Sequence, residues 1–275
     1  YILTRMERDN IGFAECLAEA QRLGYAEADP AFDIEGNETA HKPSILTSLA
    51  FGTEIAADEV YIEGITNISI DDIHAADELG YRIKLLGVSQ RTATGIEQRV
   101  HPTMVPKGSM IAQVDGVTNA VTIEADILGE LMLSGPGAGG DATASAVLGD
   151  IADIAKSRPG HQHAPALGRP ADKLEPYTQA QIQSHEGGYF ISLKVDDRAG
   201  VFASIASSMA DNDISLESIV QRARPAGSEA GPQTVILVTH ATTESRVRAA
   251  GDAIKSEGYL AGEPQVIRIE RSRDN

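Results

Sequence analysis

The order in which extended and helical patterns follow one another after residue 187 constrains this chain more than any other feature. Alternating YFISLKV is followed by helix-spaced GVFASIASSMADN, then by SLESIVQRA and QTVILVTH, then by helix-spaced TESRVRAAGDAIKSEG, and last by QVIRIE. A β-α-β-β-α-β succession of this kind is the ferredoxin-like plan. Ahead of it, residues 158–186 are rich in Pro, His, Gly and Gln and carry little periodicity, which reads as a linker. A length of 275 residues with a hydrophobic fraction of 42% can supply a core on each side of that linker.

The first part follows a different pattern. Residues 1–23 have the spacing of one helix, with Ile11, Cys16, Leu17 and Ala20 able to share a face. Tyr1 opens directly into that segment without a methionine or a capping residue, so the chain is expected to begin inside a longer protein. Gly24, Asp29, Pro30 and Gly36 punctuate a loop, and helix-forming residues resume from about Thr39 to Ala50. Between Val60 and about Leu133, the runs VYIEGI, YRIKLLGVSQ, IEQRVHPTMV, MIAQVDGV and NAVTIEA read as strands of a mixed sheet. LSGPGAGGDATASAVLGDIADIAKSR then joins a glycine-rich turn to an alanine-rich helix. The expected class is an α/β, mixed-sheet domain over residues 1–157 and an α+β domain over 187–275.

Charge and composition exclude several functions. A formal net charge of −17 opposes a sequence-independent grip on phosphate backbones, so nucleic acid is not an expected partner. No run of about 18 apolar residues is present, so no membrane partner is expected either. Cys16 is the single cysteine and has no intrachain partner, which points to a reducing compartment and so to the cytoplasm. His161 and His163 form an HQH pair that lacks further ligands, and no metal site is expected. His101 is given no role, since a lone histidine is more often structural.

Four blocks, GYAEADP with EGNETAHKPSIL, RVHPTMVP and GPGAGGDATASAVLGD, resemble the homoserine dehydrogenase family and occur in its order over roughly residues 1–157. Residues 187–275, with DDRAGVFASIASSMADNDIS, look like the ACT regulatory domain of many bacterial members. The resemblance implies interconversion of L-homoserine and L-aspartate 4-semialdehyde with NAD or NADP, a step of threonine, methionine and isoleucine biosynthesis. It assigns Lys42 the proton exchange at the substrate oxygen, Glu27 and Glu38 the substrate, and Gly24 and Gly139 the cofactor. It also implies that the helix of residues 140–157 packs on a nucleotide-binding domain. Threonine is the effector it suggests for the ACT domain. Edges in both sheets invite pairing across a two-fold axis, so a homodimer or homotetramer is expected.

The residues make chemical sense in these roles. Hydride transfer changes the charge on the substrate oxygen, so the site needs a group that can give and take a proton there. The ammonium of homoserine calls for carboxylates within hydrogen-bond reach. Glu38 and Lys42 are four residues apart and share a helix face, although Asp29, Asp33 and Glu35 crowd the same loop and spacing alone does not choose among these acids. Glu38 stands where the family usually has aspartate. Pro43 removes a helical hydrogen bond, so the helix is expected to begin after it or to kink there. Gly135, Gly137 and Gly139 would let backbone approach the nicotinamide end of a dinucleotide. Asp197 to Gly200 precede a helix whose N-terminal amides could receive a carboxylate, and Asn212 and Ile214 are expected to flank the same edge. The competing reading is an amino-acid sensor without catalysis, its first domain serving as a scaffold.

Overall fold

The computed structural model describes residues 1–26, 34–137, 139–156, 165–180, 186–221 and 231–270. The chain divides into two compact units, one made of Tyr1–Thr66, Leu85–His101 and Lys107–Ala180, the other of Asn67–Lys84, Pro102–Pro106 and Gln181–Asn275.

In the first unit, the single helix expected over residues 1–23 is two helices, α1 (Ile2–Asp9) and α2 (Phe13–Arg22). Asn10 breaks them apart: it adopts the left-handed conformation with φ 57°, and its N–H closes on the Met6 carbonyl at 3.1 Å. Arg5 ties the two helices together through Glu19 at 2.8 Å, and Met6 and Cys16 are fully buried. Helix α3 (Asn37–Phe51) follows, then the short strand β1 (Tyr61–Ile62). The strand β1 runs parallel to β3 (Gly95–Pro106), with Tyr61 opposite Arg99 and Ile62 opposite Val100. Strand β2 (Tyr81–Thr92) also pairs with β3. Ala40 of α3, Val60 and Val100 form a small core with Ile62 and Leu85 packed against it.

MIAQVDGV, expected as a strand, is instead a single 3₁₀ turn at Ile111–Gln113. Its neighbour NAVTIEA does become a strand, β4 (Thr118–Ala125), in an antiparallel hairpin with β5 (Gly129–Pro136). Helix α5 (Gly140–Lys156) completes the unit and buries no residue, with Val147, Leu148, Ile151 and Ile154 between 52% and 73% exposed.

The second unit contains a helix that the sequence reading passed over, α4 (Ile70–Glu78). It starts on a capping box in which the Ser69 hydroxyl accepts from the Asp72 amide at 3.2 Å and the Ser69 amide donates to Asp72 Oδ2 at 2.9 Å. Strands β6 (Glu186–Val195), β7 (Leu216–Gln221), β8 (Gln233–Thr239) and β10 (Gln265–Ile269) form an antiparallel set in the order β10-β6-β8-β7. The two-residue β9 (Thr242–Thr243) pairs with the start of β6. The outer strand β10 also lies parallel to the end of β3, with Arg268 opposite Thr103, so pairing here is mixed. Helices α6 (Val201–Asp211) and α7 (Glu244–Ser256) cover one face. Tyr189, Ile191, Leu193 and Val195 of β6 meet Val201, Ile205 and Met209 of α6 and Val247, Ala250 and Ile254 of α7 there. Phe190, Ile236 and Val238, which point to the other face, are buried as well.

Glu244, at the first turn of α7, accepts from Arg268 Nη2 at 2.6 Å and from Arg248 Nη2 at 2.6 Å. Burial alone pushes its carboxyl up, but the hydrogen bonds and charges of Arg268 and then Arg248 outweigh that effect and hold it below the usual glutamate range. With its folded value depressed, the carboxylate stabilises the fold above the ordinary value of about 4.3. That contribution vanishes as pH falls through the lower folded value. Thermal midpoints measured down an acid series are expected to drop more steeply for the parent than for Glu244→Gln in that window, whereas parallel curves would show that the ion pairs contribute nothing to stability.

Candidate active site

Lys42 lies in the second turn of α3, a helix that divides sharply by environment. Ala40, Pro43, Ser44, Thr47 and Ser48 are buried, while His41, Lys42, Ile45, Leu46 and Leu49 are exposed. The helix begins at Asn37 and runs through Pro43, so the proline does not delay its start. The Pro43 ring has a place to go: it lies against Gly87 of β2, which has no side chain to meet it. Ser44 Oγ donates to the His41 carbonyl at 2.8 Å. One turn on, Thr47 Oγ1 donates to the Pro43 carbonyl at 2.6 Å and shares a hydrogen bond with Ser89 Oγ at 2.5 Å.

Glu38 is helical in backbone four residues before Lys42, on the same helix face, but its side chain is outside the described residues. Glu27, Asp29 and Asp33 fall outside them entirely. Glu35 is described and exposed.

The C-terminal end of α3 is held by residues 165–180, which the sequence reading placed in a linker. The Glu175 amide donates to the Gly52 carbonyl at 3.0 Å and the Glu54 amide to the Glu175 carbonyl at 2.8 Å. Further along, the Ile96 amide donates to the Thr178 carbonyl at 2.8 Å, and the Ile96 carbonyl accepts from the Ala180 amide at 2.9 Å and the Tyr177 hydroxyl at 2.8 Å.

The glycines expected to meet a cofactor divide by role. Gly24, with φ 75°, closes α2: its amide donates to the Gln21 carbonyl at 3.1 Å and the Tyr25 amide to the Ala20 carbonyl at 2.9 Å, the paired bonds of a Schellman cap. Gly137 lacks a side chain because the Asn119 amide occupies that place. Gly139 is different. It precedes α5 with φ 115°, its carbonyl accepts the Thr143 amide at 3.1 Å, and the space beside it is open. Pro136, Gly139, Gly140, Asp141 and Ala142 line an open hollow there. Backbone amides at the start of a 17-residue helix suit a polar ring substituent, while the Asp141 carboxylate in the first turn opposes a phosphate. On that chemistry the hollow admits a polar ring more readily than a pyrophosphate.

In the second unit, Asp197 and Gly200 line a hollow with Val195, Arg198, Phe202 and Gln221 at the start of α6. Gln233 Nε2 donates to Asp197 Oδ2 at 3.2 Å. Asn212 and Ile214 do not line it. Asn212 Nδ2 donates to the Ser208 carbonyl at 2.8 Å and so caps α6, and Ile214 is 5% exposed within the core. Among the described residues no group of three or more His, Cys, Asp or Glu is placed to hold a metal ion, and no helix is long and apolar enough to cross a membrane.

Residues 1–152 match the family model described as homoserine dehydrogenase. The chain is 40% identical to the homoserine dehydrogenase of Pseudomonas aeruginosa over 273 residues, 98% of this chain and 62% of the relative. It is likewise 40% identical to that of Neisseria gonorrhoeae over 277 residues, 100% of this chain and 63% of the relative. A crystal structure of a homoserine dehydrogenase from Thiobacillus denitrificans superposes with a TM-score of 0.86 at 40% identity, covering 98% of this chain and 61% of that one. One from S. aureus superposes with a TM-score of 0.72 at 27% identity, covering 99% and 62%. The chain thus spans a little over three fifths of the length of these relatives. A family model that matches more than half of the chain, and relatives at 40% identity along nearly all of it, make this chain a member of the homoserine dehydrogenase family.

Proposed function

We propose that this chain supplies the substrate-binding and proton-exchanging part of an NAD(P)-dependent homoserine dehydrogenase, which interconverts L-homoserine and L-aspartate 4-semialdehyde in threonine, methionine and isoleucine biosynthesis. The observation that carries the reading is identity of 40% sustained over 98–100% of the chain with proteins named for that activity. Lys42 stands on the exposed side of a helix whose other side is fixed on β2, a placement that an ordinary solvated lysine shares, so the identity carries the reading alone.

NAD or NADP, when bound, accepts or supplies the hydride. The chain's own residues handle the rest. Lys42 takes the proton of the substrate hydroxyl in the oxidative direction and returns it in the reductive one, where its positive charge also stabilises the developing alkoxide. Glu38, one helical turn earlier, and Glu27 hold the substrate ammonium. Gly139 lets backbone approach the nicotinamide, and Gly24 does so in addition to its capping role. The apolar side chains exposed on α5 support packing of that helix on a nucleotide-binding portion, and those on the β4-β5 hairpin, Ile123, Leu131 and Leu133, support a homodimer or homotetramer.

The second unit we read as an ACT regulatory domain on the ferredoxin-like plan, with residues 158–186 leading into it. Asp197 and Gly200 are its candidate contacts for threonine; the positions of Asn212 and Ile214 give them a structural part. A fully buried Cys16 thiol suits the cytoplasm. The test is homoserine-dependent reduction of NAD or NADP by the full-length protein. Reduction that needs L-homoserine supports the reading, and its absence with both dinucleotides overturns it.

A further inference from the structure

The geometry points to Gly87 as a positioning residue for Lys42, an inference that rests on the catalytic reading above. Gly87 lies inside the twelve-residue strand β2. Glycine weakens the interior of a strand, and it is retained where another part of the chain must come close. The backbone of Gly87 is not in the left-handed region, so its conformation admits any residue. What crowds a side chain there is Pro43: a Cβ built at Gly87 would lie 3.1 Å from Pro43 Cγ, 3.3 Å from Cβ and 3.5 Å from Cδ, so the ring would have to give by a few tenths of an ångström. Pro43 is buried and directly follows Lys42.

A second tie fixes the same two elements. Ser89, two residues along β2 and on the face of Gly87, shares its hydroxyl hydrogen bond with Thr47, one turn along α3 from Pro43. Four residues of helix advance about 6 Å. Two residues of strand advance about 6.7 Å. The pairs Pro43/Gly87 and Thr47/Ser89 therefore set both the distance of α3 from β2 and its position along the strand. A helix held at two points cannot slide or lift without breaking one of them, and Lys42 is attached beside the first. A side chain at Gly87 lifts α3 at the residue next to Lys42 and carries the amine away from where the substrate oxygen must be.

The experiment uses Gly87→Val, Gly87→Ala, Pro43→Ala and Lys42→Ala in the full-length protein, with steady-state kinetics in homoserine and cofactor and thermal unfolding as a control of folding. Valine suits a strand, so Gly87→Val leaves β2 able to form. It is expected to lower kcat by about 10²-fold, the effect of a displacement near 1 Å, with the KM for the cofactor little changed. Gly87→Ala asks the ring to yield only slightly, and a drop of about threefold to tenfold is expected even if the valine variant fails to fold. In a Pro43→Ala background, which removes the nearest ring atom, Cγ, together with Cδ and keeps Cβ at 3.3 Å, the same Gly87 changes are expected to cost at least about twofold less than in the parent. Folded Gly87 variants that turn over like the parent overturn the inference. So does a loss that persists undiminished in the Pro43→Ala background, because the effect then does not pass through the ring. Turnover surviving Lys42→Ala overturns the catalytic reading and the inference with it, whereas turnover lost in Lys42→Ala beside unaffected Gly87 variants overturns the inference alone.

Discussion

Lys42→Ala is expected to lower kcat by on the order of 10²–10⁴-fold in the full-length protein, the range associated with loss of a positioned proton donor and acceptor. Cofactor affinity should stay near that of the parent, since the hollow proposed above to meet the cofactor is lined by Pro136, Gly139, Gly140, Asp141 and Ala142 and not by Lys42. A lysine on a helix surface ordinarily contributes little to anything, so a loss of this size separates a chemical role from a solvated one. Lys42→Arg sharpens the result. Arginine keeps the positive charge but does not release its proton near neutral pH, so it can stabilise an alkoxide and cannot take the hydroxyl proton. If the proton is the point, Lys42→Arg is as inactive in homoserine oxidation as the alanine variant. If charge alone matters, arginine restores much of the rate. Unchanged turnover in Lys42→Ala excludes the assignment altogether.

Leu193→Ala carries the largest expected effect on stability, about 2–5 kcal/mol. Leu193 is fully buried on β6, opposite Val235 of β8 and in the cluster formed with α6 and α7, so its loss removes apolar contact and leaves a space that the packed elements cannot close. Phe202, on α6 but 43% exposed, is the comparison. Phe202→Ala should stay within about 0.5 kcal/mol. Chemical denaturation followed by circular dichroism measures both, and equal midpoints for the two variants would show that β6 is not the centre of this core.

The parts of the fold that were legible in the sequence are those whose pattern is local. The β-α-β-β-α-β run after residue 187 was plain because each strand and helix buries one face and writes that as a period of two or of three to four residues. Strand β3 was legible from its β-rich composition, though not its environment. Every residue from Ile96 to Val105 is buried, including Glu97, Gln98, Arg99 and His101, so both faces of the strand are covered while β1, β2 and β10 pair with its edges. Glu97 and Arg99 neutralise each other there. Alternation cannot announce a strand buried on both sides.

What failed did so where a few residues decide. MIAQVDGV has the composition of a strand, but Val114, Asp115 and Gly116 end it and only a 3₁₀ turn forms. The break at Asn10 was hidden by helical spacing that continues across it. The signal for α4 was available in Ser69 and Asp72, three residues apart at the start of an apolar-spaced run, and was obscured by the strands on either side. The site divides in the same way. Lys42 and Glu38 could be put forward as candidates from the motif and from helical spacing, and Gly139 from a glycine turn before a helix. Gly87, Ser89 and Thr47 were not, because a glycine in a strand and a hydroxyl on a helix acquire meaning only when the two elements meet. The cap at Gly24 was written in the sequence, as a glycine at the end of a helical run.

Hydride transfer from the terminal carbon of homoserine is the chemistry proposed above for the residues of α3. Incubating the full-length protein with L-homoserine deuterated at that carbon and an oxidised nicotinamide dinucleotide, then weighing the products by mass spectrometry, tests it most directly. One deuterium is expected on each reduced nicotinamide formed and the other on the aldehyde, with no transfer in Lys42→Ala within the same interval. Reduced nicotinamide without deuterium, or none at all, contradicts that chemistry.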